Sequence, residues 1–393
     1  MKTFEHSEMI QGLPKQFFAK LVNKVAAAKT KHDDIINLGQ GNPDQPTAPH
    51  IIKALQEAAE NPLYSKYSPF RGYSFLKEAV ATYYKREYGV EVDPEKEVAV
   101  LMGAKAGLVE VSQCLLNQGD VALVPDPGYP DYWSGIALAG ANMSFMPLKA
   151  EHDFLPDFSQ LHKNDLQKSK LMFLNYPNNP TGATATEALF QDAIEIGNKH
   201  DICIVHDFAY GAIGFDGKKP LSMLEVPGAK DVGVEMITMS KTYNMAGWRV
   251  GFAVGNPSVI EAINLIQDHL HCSLYGGIQE AAAKALLGPQ DCVDELVQRY
   301  ESRRNTFISA LQNIGWNVKA PQGSFFAWLP VPEGYTSETF ADLLLEKAQV
   351  AVAPGIGFGD HGEGYVRVGL LSDEDVLLEA AKRIEKLDLF STD

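Results

Sequence analysis

A chain of 393 residues with 45% apolar and 21% charged content is long enough for two or three domains with buried cores and has the composition of a folded soluble protein. Its formal net charge of −16 repels a phosphate backbone, which sets aside nucleic acid as a partner but leaves room for local pockets that take small anions. Its cysteines, Cys114, Cys203, Cys272 and Cys292, are scattered without a C-x-x-C pair, so neither a metal site nor a disulfide framework is expected. The opening Met1-Lys2-Thr3-Phe4-Glu5-His6 lacks the apolar core of a signal peptide, and no apolar run approaches membrane-spanning length. A cytoplasmic protein without membrane contact is expected.

In chain order, Gln16 to Lys29 carries apolar residues at helical spacing (Phe17, Leu21, Val25, Ala28). Ile35-Ile36-Asn37-Leu38 then reads as a short strand that breaks at Gly39-Gln40-Gly41-Asn42-Pro43-Asp44, where two glycines permit close backbone approach. No G-x-G-x-x-G is completed there and no helix starts at once, which argues against a dinucleotide loop. His50 to Glu60 and Phe75 to Tyr88 read as helices, separated by a loop rich in aromatic and basic residues, Tyr64 to Gly72.

From Glu97 the pattern alternates strand and helix. The apolar run Val98 to Met102 has the look of a buried parallel strand, and it ends at Gly103-Ala104-Lys105-Ala106-Gly107 before a helix. A strand, a small-residue turn and a helix N-terminus together offer free N–H groups and a helix dipole to an anion. Val121 to Val124 leads to Pro125-Asp126-Pro127-Gly128-Tyr129, and Leu171 to Leu174 leads to Asn175-Tyr176-Pro177-Asn178-Asn179-Pro180-Thr181-Gly182. Ile202 to Val205 leads to His206-Asp207-Phe208-Ala209-Tyr210, and Met236 to Met239 leads to Ser240-Lys241. Ligands of an open α/β sheet bind at the carboxyl ends of its strands, so Gly103, Ala104, Lys105, Tyr129, Asn179, Asp207, Tyr210 and Lys241 are expected to converge. After Gln279, helices at Ala281–Leu287, Val293–Ile314, Ser337–Ala348 and Asp373–Leu387 alternate with strands at Trp316–Val318, Ser324–Leu329 and Tyr365–Leu370. The expected organisation is a large domain, 45–280, inserted in a discontinuous small α+β domain, 1–44 and 281–393.

The stretch from Ser240 to Gly251 gives this arrangement a chemistry. Lys241 stands alone at a strand end among Ser, Thr, Tyr and Trp. Burial disfavours a charged lysine, and a neutral amine forms a Schiff base with a carbonyl. Arg249, eight residues on, suits a phosphate. A lysine and a phosphate anchor suggest pyridoxal phosphate. That cofactor needs N–H donors and a cation for its phosphate, which Gly103, Ala104, Lys105 (through its backbone) and Arg249 can supply. It needs a buried carboxylate to keep its ring nitrogen protonated, for which Asp207 is placed, and donors to its 3′-oxygen, Asn179 and Tyr210. Tyr129 can stack on the ring. Singly, an Asp after a strand is more often a helix cap and Asn-Asn-Pro-Thr-Gly a turn; it is their joint occurrence at successive strand ends that points to a site.

These residues also carry a resemblance. Asn179-Pro180-Thr181-Gly182, Asp207-x-x-Tyr210, Ser240-Lys241-Thr242 with Arg249, and Arg367 near the C-terminus make the chain similar, over nearly its whole length, to the class I and II aminotransferases of the fold-type-I pyridoxal-phosphate enzymes. The resemblance implies a mostly parallel sheet between helices plus a smaller α+β domain. It implies that Lys241 bonds the cofactor and shuttles the substrate proton, and that Ser240 lies with the cofactor-binding residues. It implies that Arg367 grips the substrate α-carboxylate, helped by Asn179 and the N–H of Gly41. It further implies that Tyr67 reaches the phosphate of a neighbouring subunit, so that the enzyme is a homodimer. One departure is Thr238, where the family often has Ser; its hydroxyl can still meet the phosphate. Amino acids and 2-oxo acids would then exchange an amino group by ping-pong turnover.

Between Arg249 and Lys284 there is no Arg or Lys, and the loop from Asp268 to Gly277 suits a neutral side chain. The stretches Asn37 to Thr47 and Tyr67 to Gly72 look like the bacillus-type aminotransferases of methionine salvage, which act on 4-methylthio-2-oxobutanoate. Similar openings occur in diaminopimelate, alanine and aromatic aminotransferases. A carbon–sulfur lyase on the same fold is the rival enzyme class; a cofactor-binding transcriptional regulator would need a basic domain ahead of residue 30.

Overall fold

The computed structural model describes residues 1–14, 17–32 and 34–390. Among these, twelve strands form: β1 Ile36–Asn37, β2 Val98–Leu101, β3 Val121–Asp126, β4 Asn142–Pro147, β5 Ser169–Asn175, β6 Cys203–Asp207, β7 Gly233–Thr238, β8 Gly251–Gly255, β9 Phe326–Pro330, β10 Val350–Ala351, β11 Ala353–Pro354 and β12 Tyr365–Gly369. Seven of them make one sheet in the order β2-β8-β7-β6-β5-β3-β4. The neighbours from β7 through β4 run parallel, whereas β8 is antiparallel to both β2 and β7. The inner strands are apolar runs because helices cover both faces of the sheet. On one face Leu108 and Val111 of the helix Ala104–Leu115 pack with Ile136, Ile260 and Ile263. On the other, Leu76 and Val80 of the helix Ser74–Tyr88 pack with Phe190, Ile194 and Ala281.

Two strands of this sheet have weak sequence signals. β4 is one of the two edge strands, and its Asn142, Met143 and Phe145 are exposed, so it has no continuous apolar run. β8 lies between two glycines and reads as the tail of the Arg249 loop. A Cβ on Gly251 would stand 2.6 Å from the Ala104 nitrogen, so glycine is what lets β8 run close under the turn beyond β2.

A second core gathers Leu38, Phe307, Leu311, Trp316, Leu329, Phe340, Val366, Val368 and Leu377. It surrounds the antiparallel sheet β11-β12-β9 and the parallel pair β1-β10. The pairing of Ile36 with Val350 and of Asn37 with Ala351 brings the start of the chain to this body. Arg303, buried, secures the same junction through Asp44 at 2.8 Å and Asp373 at 2.6 Å. The expected division between residues 280 and 281 falls inside the helix Gly276–Leu287, whose Ala281, Ala282, Ala285 and Leu286 belong to the core of the large sheet. We propose the division at Gly288-Pro289 instead, with 1–44 and the residues from 290 onward as the smaller body.

The expected strand at Trp316–Val318 does not form. Both side chains are buried, but Trp316 is fixed by its indole N–H, which donates to Pro330 O at 2.9 Å, rather than by a ladder. The first long helix is Phe17–Lys29; Gln16, where its expected span begins, lies outside the described residues.

Candidate active site

Strands β2, β3, β5, β6 and β7 share one direction, and the segments leaving their carboxyl ends line a single cavity of about 590 Å³. Ala104 and Lys105 come from the turn after β2, Tyr129 from beyond β3 and Asn179 from beyond β5. Asp207 and Tyr210 come from β6 and its end, and Thr238, Ser240 and Lys241 from the end of β7. Arg249, Gly41 and Arg367 complete the wall. Gly103 stands just behind it: it has φ +86°, and a Cβ there would come within 2.3 Å of the Arg249 guanidinium. Glycine at 103 is thus what admits the arginine to the mouth of the helix Ala104–Leu115, whose first N–H groups have no partner within the helix. Tyr67, like Gly103, does not line this cavity, and it is 90% exposed.

Lys241 lies in the short helix Met239–Thr242, which Thr238 caps by accepting from the Ser240 N–H at 3.1 Å. Its Nζ donates to Gly41 O at 2.9 Å and stands 5.3 Å from the centre of the Phe325 ring. Burial, then the charges of Arg367 and Arg249, lower its pKa to about 8, against a smaller opposing effect of Asp207. At neutral pH an accessible fraction of this amine is therefore unprotonated.

Asp207 is 5% exposed. Its Oδ2 accepts from the Tyr132 hydroxyl at 2.7 Å, while its buried Oδ1 has no hydrogen-bond partner among the described residues. Burial raises its pKa; the Tyr132 bond and the charge of His206 oppose that rise. Asn175 holds the segment in place, donating from Nδ2 to Asp207 O at 2.8 Å and accepting the Asn179 N–H at 2.8 Å. Tyr210 is buried edge-on to Phe325 and Phe326. The Lys105 side chain turns to Asp131 at 3.0 Å, so only its backbone faces the anion-binding turn.

Arg367 is 2% exposed and has no carboxylate partner among the described residues. Nη1 donates to Asn179 Oδ1 at 2.9 Å, Nη2 donates to Gly39 O at 3.0 Å, and Nε is buried without a partner there. The guanidinium sits among three rings, 4.0 Å from Phe326, 4.7 Å from Phe358 and 5.2 Å from Phe18. Burial lowers its pKa to about 10. A buried cation held by neutral acceptors and ring faces is a receptor for an anion.

Sequence reasoning missed several members of this site. Tyr132 stands three residues beyond Tyr129, at helical spacing, a weak signal that its hydroxyl would reach Asp207 from behind the cavity. Asn175, at the end of β5, reads in sequence only as part of a turn. Phe18, Leu21, Val22 and Val25 line the cavity from the helix Phe17–Lys29; their periodicity marks a packed face without saying what it packs against. No residue from 268 to 277 lines the cavity of this chain, so the apolar wall comes from the N-terminal helix and not from that loop. Arg71 is engaged by Glu261 at 2.8 Å and Asp268 at 2.9 Å. The described residues hold no group of three or more His, Cys, Asp or Glu able to bind a metal, and no helix among them is long and apolar enough to cross a membrane.

A lysine of lowered pKa, a buried carboxylate and a caged arginine line one cavity at the carboxyl ends of this sheet, an arrangement suited to an enzyme that handles amino acids. The family model for aminotransferase class I and II matches residues 33–384, and the chain belongs to that family: it is an aminotransferase. It is 64% identical over 388 residues to L-glutamine–4-(methylsulfanyl)-2-oxobutanoate aminotransferase of Bacillus subtilis (strain 168), with 99% of this chain and 98% of that one covered. It is 50% identical to transaminase BacF of the same organism, with 98% and 96% covered. The solved apo structure of BacF superposes with a TM-score of 0.95 at 48% identity, covering all of both chains.

Proposed function

We propose that this aminotransferase uses pyridoxal phosphate and acts, as a homodimer, on substrates with neutral or apolar side chains: 4-(methylsulfanyl)-2-oxobutanoate and methionine first, aromatic partners next, with glutamine as amino donor. The observation that carries the substrate reading is the wall of Phe18, Leu21, Val22 and Val25 beside Arg367. Among the described lining residues the cations are Lys105, Lys241, Arg249 and Arg367. Lys105 is paired with Asp131, and the other three have duties toward cofactor and α-carboxylate. A second carboxylate on the substrate would meet the apolar wall at a cost of several kcal/mol. A thioether gains about 25 cal/mol for each Å² buried there. Gln40 and Asn42 also line the cavity and offer neutral amides to the side chain of glutamine. The Bacillus subtilis relative whose name states this reaction supports the same reading.

The cofactor fits the residues present. Asp207 Oδ1, buried and without a partner among the described residues, would accept a hydrogen bond from the protonated ring nitrogen, and Tyr129 would lie against the ring. The Asn179 amide, whose oxygen is already bonded to Arg367, would turn its N–H to the 3′-oxygen beside Tyr210. The N–H groups of Gly103, Ala104 and Lys105, with Thr238, Ser240 and Arg249, would hold the phosphate. When bound, pyridoxal phosphate supplies a carbonyl that condenses with amines and a ring that withdraws electrons. Arg367 grips the substrate carboxylate and so fixes Cα near Lys241; the Gly41 N–H lies on the same wall. Lys241 Nζ takes the proton from the substrate's Cα, as a base whose pKa lies near the working pH, and as the resulting acid would deliver it to the carbon of the cofactor's carbonyl. The Asp207 carboxylate would keep the ring nitrogen protonated.

Tyr67, exposed on this chain beside Phe70, would complete the phosphate site of a second copy; the cytoplasm remains the proposed location. The test is steady-state kinetics with methionine, phenylalanine, glutamine, glutamate and aspartate against a fixed 2-oxo acid. Aspartate should fall below methionine or glutamine by on the order of a hundredfold in kcat/KM. Aspartate as the best donor would overturn the neutral-pocket reading.

A further inference from the structure

Behind the site, on β6 and β7, lies a polar pair with no access to solvent. His206 and Glu235 stand opposite each other in the sheet register, and both side chains are fully buried. His206 Nδ1 is 2.8 Å from Glu235 Oε1, and Nε2 is 3.0 Å from Tyr176 O. The ring lies against Phe190 and Phe208, each with its centroid 4.9 Å away. Glu235 accepts three more bonds: from Met223 N–H at 2.6 Å, Ser222 Oγ at 2.7 Å and the Tyr84 hydroxyl at 2.9 Å.

This geometry restricts where the protons can lie. A carbonyl oxygen only accepts, so Nε2 must carry a hydrogen. Glu235 collects donors on both of its oxygens, and hydrogen bonds of that kind favour the ionised carboxylate. Imidazole is also the more basic partner by about two pH units in ordinary solution, so the shared proton belongs on Nδ1. We infer that His206 is held as an imidazolium by Glu235 and Tyr176 O, and that its fixed positive charge keeps the neighbouring Asp207 a carboxylate. His206 is thus a positioning residue for the aminotransferase reaction, acting through Asp207. Successive side chains on a strand point to opposite faces, so the imidazolium lies under the sheet and Asp207 faces the cavity.

The titratable groups round the pair come from several elements. Tyr84 and Tyr88, from the helix Ser74–Tyr88, are pushed well above their ordinary range by burial and stay neutral; Tyr83, from the same helix, is pushed up to about 12. Glu225, with Lys219 beyond it, stands on the Ser222 side. On the cavity side Asp207 meets Tyr132 and Lys241. Within this set His206 is the cation adjacent in the chain to Asp207, while its partner Glu235 stands one strand further away.

The inference rests on the reading that Asp207 serves the cofactor ring, and the experiment separates the two. In cofactor-free protein labelled with ¹⁵N-histidine, the signals lost in His206→Gln identify this ring. At pH 7 both nitrogens should carry protons. A single protonated nitrogen at pH 7 overturns the inference. The second arm replaces the ion pair by an amide pair, His206→Gln with Glu235→Gln, which leaves no buried charge unpartnered. Folded double variant loaded with pyridoxal phosphate should lose about tenfold in kcat, and the pH midpoint of its visible absorption band should move by about one unit. A folded double variant with unchanged kcat and band overturns the inference; if it does not fold, the labelled-histidine arm decides alone. Asp207→Asn is measured alongside. If Asp207→Asn is crippled and the double variant is not, only this inference falls. If both match the parent, the reading of Asp207 falls and takes this inference with it.

Discussion

Lys241 should cost the cofactor-free protein stability at neutral pH, and Lys241→Met should recover it. The pKa of Lys241 lies at about 8 in the folded chain against 10.5 for an unperturbed lysine. Between these values the unfolded chain binds more protons than the folded one, so stability rises with pH across that window, and the full penalty is present below about 8. A shift of that size corresponds to ~3 kcal/mol. Methionine carries no charge, but it leaves Gly41 O without the bond that Nζ gives it, a loss of ~1 kcal/mol. Lys241→Met should therefore be more stable than the parent by about 2 kcal/mol at pH 7, with the advantage gone by about pH 10. Urea unfolding of both proteins without cofactor, at a series of pH values, measures the difference, and groups common to the two chains cancel. An advantage that is absent at pH 7, or that stays constant from pH 7 to 10, would refute the claim that burial and the two arginines weaken this amine.

Two further outcomes test the site. Arg367→Lys keeps the charge but loses the two-pronged grip, so kcat/KM for amino acids should fall by about ten- to a hundredfold, or ~1.5–3 kcal/mol. Amines lacking the α-carboxylate should lose far less, and an equal loss for both would mean that Arg367 does not hold that group. Mixing Tyr67→Ala subunits with Lys241→Ala subunits should raise activity above either parent, because one site of each hybrid dimer would be free of both defects. Hybrids that form without any gain would show that the site is not shared.

The parallel strands are legible in the sequence because a strand covered on both faces must be apolar throughout, and each of β2, β3, β5, β6 and β7 releases its polar residues at one end. Lys241, Asp207 and Asn179 can be read for that reason, since their surroundings in sequence are short and stereotyped. What escapes detection depends on long-range packing. Phe18 reaches Arg367 across most of the chain's length, and nothing local to Phe18 distinguishes it from an ordinary helix face. Tyr132 becomes visible only as the donor to Asp207, and β8 only once Gly251 is seen to run beneath Ala104. The loop 268–277 does lack a fixed cation, but it does not line this chain's cavity, because a sequence does not say which way a loop faces once the chain is folded.

The electrostatics of the site link its two anion receptors to its base. Arg367 is surrounded by Asn179 Oδ1, Gly39 O and three aromatic rings. None of these cancels its charge, so its field reaches Lys241 and, with that of Arg249, lowers the affinity of Nζ for a proton. A structural carboxylate beside Arg367 would stabilise the empty fold but would remove that influence and occupy the place of the substrate. On the proposed function, a substrate carboxylate at Arg367 would neutralise the same field, and Nζ would become a stronger base when a Cα proton comes within reach. We propose that an arginine held, among the described residues, by neutral acceptors alone serves the mechanism in this way: it would leave the amine unprotonated enough to react before the substrate is bound and basic enough to take a proton afterwards.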